Sequence, residues 1–114
     1  MGKFDMIIAS LECPVTLEVL DREIQIKFRE NREFARYSIG DKLDELLPKY
    51  DNTWIRTDYV CQSCSKLSVG KIKGREYKYV KTEDQKRHDC FLQVSDGKLI
   101  DVRSDFSGEY VNYK

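Results

Sequence analysis

The sequence predicts one mainly β domain, a small α+β fold made of an antiparallel sheet with hairpins and one short helix. Three observations carry this expectation. Apolar and polar residues alternate with a period of two along Glu23-Ile24-Gln25-Ile26-Lys27-Phe28-Arg29, the pattern of a strand with one buried face. Asp96-Gly97 lies between two short alternating runs in FLQVSDGKLIDV, and Asp-Gly supplies the positive φ angles of a two-residue hairpin turn. Helical periodicity is scarce, and no repeat, low-complexity tract or linker divides residues 1–114.

The elements follow in order. Phe4 to Leu11 is more continuously apolar and reads as a central strand, followed by the alternating strand at 23–29. A weaker alternation runs through Ala35, Tyr37 and Ile39. Asp41 is placed to cap a short helix through Lys42, Leu43, Leu46 and Leu47, which Pro48 then ends because it pushes the preceding residue out of the helical region. Ile55 to Cys61 and Glu76 to Lys81 are rich in β-branched and aromatic residues, as strands are. Thr82 and Gln85 have capping-box spacing for a single turn around 83–88, and residues 91–102 form the Asp-Gly hairpin.

A chain of 114 residues with 40% apolar and 35% charged residues describes a soluble domain with a thin core, one that a metal staple would help. No run approaches the roughly eighteen apolar residues of a membrane span. The start, MGKFDMIIASLEC, has too short an apolar run for a secretion signal and lacks a small-residue cleavage site. The expected compartment is therefore cytoplasmic and reducing, where paired cysteines bind metal more often than they form disulfides.

Four cysteines and one histidine are the candidate ligands. Cys61 and Cys64 form a C-x-x-C pair (CQSC) at the end of a strand-like segment, and two thiolates at that spacing can grip one tetrahedral ion from a single tight turn. There is no second C-x-x-C. Cys13 precedes a proline, and Thr16 stands where the partner cysteine of such a turn would fall. Cys90 and His88 share the RHDC segment and would point the same way from an extended strand. The expected set is Cys13, Cys61, Cys64 and Cys90, with His88 as the alternate donor. A third arrangement leaves Cys13 out and uses Cys61, Cys64, His88 and Cys90. Cys13 and Cys90 beside apolar strands are also ordinary core positions.

Cys13-Pro14, Ile24-Gln25-Ile26-Lys27-Phe28, Tyr37-Ser38-Ile39-Gly40-Asp41, Cys61-Gln62-Ser63-Cys64 and Asp96-Gly97 together resemble the pattern of a loose group of small bacterial and phage proteins of zinc-ribbon-like character, mostly uncharacterised. The likeness spans most of the chain through short pieces, of which only C-x-x-C is chemically specific. It implies a zinc-ribbon-like sheet, a structural zinc ion and a phage or bacterial accessory role. Thr16 is the main departure from the group's pattern.

Catalysis is not indicated. A cysteine-dominated site is usually closed, and one histidine cannot serve as both ligand and base. The C-x-x-C pair follows a strand instead of opening a helix, unlike a thioredoxin-type redox pair, and Gly-rich phosphate loops and Gly-x-Ser-x-Gly turns are absent from the sequence. The expectation is a non-enzymatic binding module. A protein partner ranks first, with some of the seven tyrosines and Trp54 as anchors. The alternative is nucleic acid. Residues 66–87 carry 8 basic and 3 acidic side chains in a chain of net charge zero, with Lys71, Lys73, Arg75 and Lys78 placed to meet phosphate. Two features favour the protein: the sequence pI of about 6.6, and the placement of Lys78 on the strand face opposite Tyr77 and Tyr79.

Overall fold

The computed structural model describes residues 4–27, 35–43 and 45–113. The chain is mainly β. Strand β1 (Asp5–Glu12) is central in a three-stranded sheet, paired antiparallel with β2 (Val19–Ile26) and parallel with the two-residue β3 (Arg36–Tyr37). Strand β4 (Thr53–Val60) belongs to a second sheet, completed after a separate hairpin of β5 (Ser68–Ile72) and β6 (Arg75–Tyr79). That second sheet adds β7 (Arg87–Ser95), β8 (Lys98–Arg103) and β9 (Val111–Asn112), in the order β8-β7-β4-β9, with only the β4-β9 pairing parallel.

The period of two decides what is inside. Ile7, Ala9 and Leu11 of β1 and Ile24 and Ile26 of β2 face one way, Ile55 and Tyr59 of β4 and Cys90, Leu92 and Val94 of β7 face them, and all join one buried cluster. Each fully buried Ile or Leu contributes roughly 1.5–3 kcal/mol of transfer free energy. The exposed ion pairs Arg56–Asp89, Arg87–Asp58 and Arg103–Asp101 are each worth at most about 1 kcal/mol, so burial and not surface charge holds the two sheets together.

The Asp-Gly hairpin forms as expected. Asp96 (φ 50°) and Gly97 (φ 72°) make the turn between β7 and β8, and a bulge lies at Gln93/Val94. The second strand starts four residues earlier than its alternation suggests, while Phe28 and Arg29 lie outside the described residues. Instead of capping a helix, Asp41 closes a turn by accepting the Ser38 amide at 2.8 Å, and Asp44 lies outside the described residues. The chain on either side of Asp41 runs extended along β8, with Gly40 N donating to Leu99 O, Leu99 N to Asp41 O and Leu43 N to Gly97 O. Burying Leu43 in the shared core outweighs the weak local preference for helix. The only helical pieces among the described residues are single 3₁₀ turns, Pro48–Tyr50 and Thr82–Asp84. None of these is long and apolar enough to cross a membrane.

Trp54 is half-buried. Its ring stacks on Phe106 at 4.0 Å on the outer side of the second sheet, where Phe91 and Tyr110 also meet. It covers part of the sheet's outer face.

Candidate metal centre

Three strand ends converge at one end of the body, and the inward faces of those strands deliver the ligands. Cys13 continues the odd-numbered face of β1 beyond Leu11, and Cys61 continues the odd-numbered face of β4 beyond Tyr59. His88 opens the even-numbered face of β7 and sits directly opposite Tyr59 in the ladder. Cys64 comes from the turn after β4, in which the amides of Cys64 and Ser65 both donate to the Cys61 carbonyl.

Cys13, Cys61, Cys64 and His88 each present a ligand atom within 4.8 Å of the others. Cys13 Sγ lies 3.3 Å from Cys64 Sγ and 3.7 Å from His88 Nε2, and Nε2 lies 3.3 Å from Cys64 Sγ. A tetrahedral ion with metal–sulfur bonds of about 2.3 Å separates its ligand atoms by roughly 3.5–3.8 Å, so the Cys13, Cys64 and His88 atoms stand close to three of its corners, with Cys61 Sγ within 4.8 Å of each. A disulfide needs a sulfur separation near 2.05 Å, and all four cysteines are free.

The two turns are built differently. In the first, Leu17 N donates to Cys13 O, Cys13 N donates to Glu18 O, and Thr16 N donates to Cys13 Sγ at 3.4 Å. Thr16 thus serves the site through both its amide and its hydroxyl, which also accepts from Glu18 N. Leu17 takes the left-handed conformation (φ 64°) to close this turn. The second turn is tied to the start of β7. Cys61 N donates to Lys86 O, Ser65 Oγ donates to Cys61 O at 2.6 Å, and Lys86 N donates to Ser65 Oγ at 2.9 Å. The buried Ser65 therefore fixes the C-x-x-C turn relative to the histidine strand.

Burial is the largest single influence on the Cys13 thiol and acts upward. Hydrogen bonds from the Thr16 hydroxyl, the Thr16 and Val15 amides and Cys64 together outweigh it and bring the pKa down to about 5. Cys64 moves the other way, to about 12, because its proton is held in the hydrogen bond to Cys13 and the site is desolvated. The pair therefore shares one proton, the arrangement a bound cation would displace.

Cys90 lies outside this group. Two residues further along β7 than His88, it is carried about 7 Å deeper, opposite Thr57 and among Leu92 and Val94. There burial and the nearby Asp58 and Asp89 push its thiol up to about 12.

Sequence reasoning missed Arg22. It is 3% exposed on the inward face of β2 and donates to Leu11 O, Glu18 O and Ser63 Oγ, the last within the C-x-x-C turn. Ser63 in turn donates to Glu18 Oε1. Its guanidinium lies 5.6 Å over the Tyr59 ring, and no carboxylate reaches it within 4.0 Å among the described residues. Three thiolates and a neutral imidazole around a divalent ion carry net charge −1, which a guanidinium bonded into the C-x-x-C turn offsets. The signal was present in the sequence, since Arg22 shares the inward register of Ile24 and Ile26 in DREIQI.

A cavity of about 530 Å³ opens between β2 and β4, lined by Arg22, Tyr59 and polar side chains that include Asp58 and Arg87. None of the four ligand residues lines it. Compared with protein-family models, curated proteins and solved structures, the chain matches none.

Proposed function

We propose that the chain is a non-enzymatic binding module of zinc-ribbon-like character, in which Cys13, Cys61, Cys64 and His88 hold a structural zinc ion. One observation carries the reading: four soft or borderline donors, from three strand ends and the C-x-x-C turn, gather within 4.8 Å of one another, three of them at separations of 3.3–3.7 Å. Four protein ligands leave no open position for a reacting water, and the chain's one histidine is used as a ligand. The ion's role is to lock the strand ends in register at the thin end of a small core. His88 supplies the donor that Thr16 does not.

The module's partner in this reading is a protein, met at the Cys13 turn. Val15, Leu17 and Val19 there are 72%, 66% and 62% exposed, an apolar group on a turn that the ion makes rigid. Elemental analysis should find one zinc per chain in the wild type and a loss in Cys64→Ser and His88→Gln. A metal-free wild type that melts at the same temperature with or without added zinc would contradict the reading. Replacing Val15 and Leu17 by Ser should leave zinc content unchanged while abolishing capture of the protein partner.

A further inference from the structure

The β5-β6 hairpin stands apart from the body. Every residue of β6 is exposed, and the two strands pair only with each other, around a Lys73-Gly74 turn with positive φ at both residues. A hairpin that buries so little is not explained by stability.

Its charge is one-sided. Residues 66–81 carry six basic side chains and one acidic, a net charge of +5 in a chain that totals zero, so the remainder is equally negative. The ladder register then sorts the side chains. Ser68, Gly70 and Ile72 of β5 lie opposite Tyr79, Tyr77 and Arg75 of β6 on one face, while Val69 and Lys71 lie opposite Lys78 and Glu76 on the other. The tyrosine face therefore carries a guanidinium of its own, and Arg75, Tyr77 and Ile72 line one shallow depression at the tip together with Lys73 and Glu76.

The rings are preorganised. Tyr77 and Tyr79 lie 5.5 Å apart between centroids, tilted by 32°, and remain 44% and 38% exposed. Tyr77 is laid flat along the ribbon because residue 70 is glycine: a Cβ there would meet the Tyr77 ring at 2.6 Å. Two exposed rings, with Arg75 on their face and Lys73 at the tip, make a stacking platform with a phosphate-binding border.

We propose that the Arg75-Tyr77-Tyr79 face of this hairpin binds single-stranded nucleic acid, with bases stacked on the two tyrosines and phosphates met by Arg75 on that face and Lys73 at the tip. The site is separate from the apolar turn at Val15 and Leu17 and does not depend on a protein partner. A duplex keeps its bases stacked inside and would use only the charge, so the tyrosines decide between the two.

The test is fluorescence anisotropy of labelled 15-nucleotide single-stranded DNA and RNA with the zinc-loaded full chain, at several salt concentrations, with duplex DNA of the same sequence as competitor. The expected result is preferential single-strand binding. Tyr77→Ala and Tyr79→Ala should each weaken it by about fivefold to a hundredfold, while Tyr77→Phe, which keeps the ring, should bind nearly as well as wild type. Lys73→Ala should reduce the logarithmic salt slope by about one without changing base preference. Zinc content measured on every variant separates failure of the hairpin from failure of the metal centre. No binding at low salt, duplex bound as tightly as single strand, or Tyr77→Phe as damaging as Tyr77→Ala would each overturn the proposal.

Discussion

The body and the hairpin arm are both built mainly from antiparallel β pairing, yet they hold their shape by different means. In the body, β1, β2, β4, β7 and β8 bury a continuous apolar face, and the four-ligand cluster sits where that face runs out. In the arm, β5 and β6 bury almost nothing, and the shape rests on a left-handed turn, a ladder of backbone hydrogen bonds and one tyrosine lying over a glycine. A pleated strand of alternating residues forms in either setting. What differs is whether its second face is used for stability or left free for a partner.

The sharpest way to break this comparison is to remove the metal. Chelation of the zinc-loaded protein should cost the body on the order of 5 kcal/mol and lower its melting temperature by about 20 °C, read by calorimetry. A change of only a few degrees would place the ion outside the body's stability. Acid should act in the same direction. Zinc binding must displace the proton that Cys64 holds with a pKa of about 12, so apparent affinity should fall at least about tenfold for each pH unit lowered. Competition with a chromophoric chelator between pH 8 and 6 measures it, and a flat profile would mean that the thiols do not coordinate.

Next in size is Arg22→Met, which removes three donated hydrogen bonds and the countercharge beside the cluster. Urea unfolding should show a loss of about 3 kcal/mol, and zinc should bind more weakly while keeping one ion per chain. Arg22→Lys should not restore it, since one ammonium cannot reproduce the fork that spans Leu11, Glu18 and Ser63. Cys90→Ala is smaller, about 1–2 kcal/mol, with zinc content unchanged, as expected of a core thiol. Smallest is Gly74→Ala in the arm. It strains a φ of 79° by about 1–2 kcal/mol locally and should accelerate amide exchange across 68–79, yet leave the global unfolding midpoint within about 0.5 kcal/mol. A shift of the global midpoint as large as that of Arg22→Met would show that arm and body unfold together.

Much of this division could be read from the chain, and the rest depended on pairing between distant segments. The C-x-x-C turn, the alternation at 23–26 and the Asp-Gly hairpin are local patterns, and each appears in the structure where the sequence puts it. The choice between His88 and Cys90 is not local. Both lie on one face of β7, and only the register that sets Tyr59 opposite His88 and Thr57 opposite Cys90 brings the first to the strand ends and the second into the core. The helix expected after Asp41 fails for a similar reason, because Leu43 gains more by docking along β8 than a single helical turn offers. The opposition of Lys78 to the tyrosines was legible, but Arg75 shares their face and restores a charge to it.

The central claim is that three sulfurs and one nitrogen, from Cys13, Cys61, Cys64 and His88, hold one zinc ion at the end of the body. X-ray absorption spectroscopy of the zinc-loaded protein tests it most directly. The expected shell has three sulfurs at about 2.3 Å and one imidazole nitrogen at about 2.0 Å, with the nitrogen scattering lost in His88→Ala. A shell of four sulfurs, which would require Cys90 in place of His88, or a light-atom shell of oxygen and nitrogen, would contradict it.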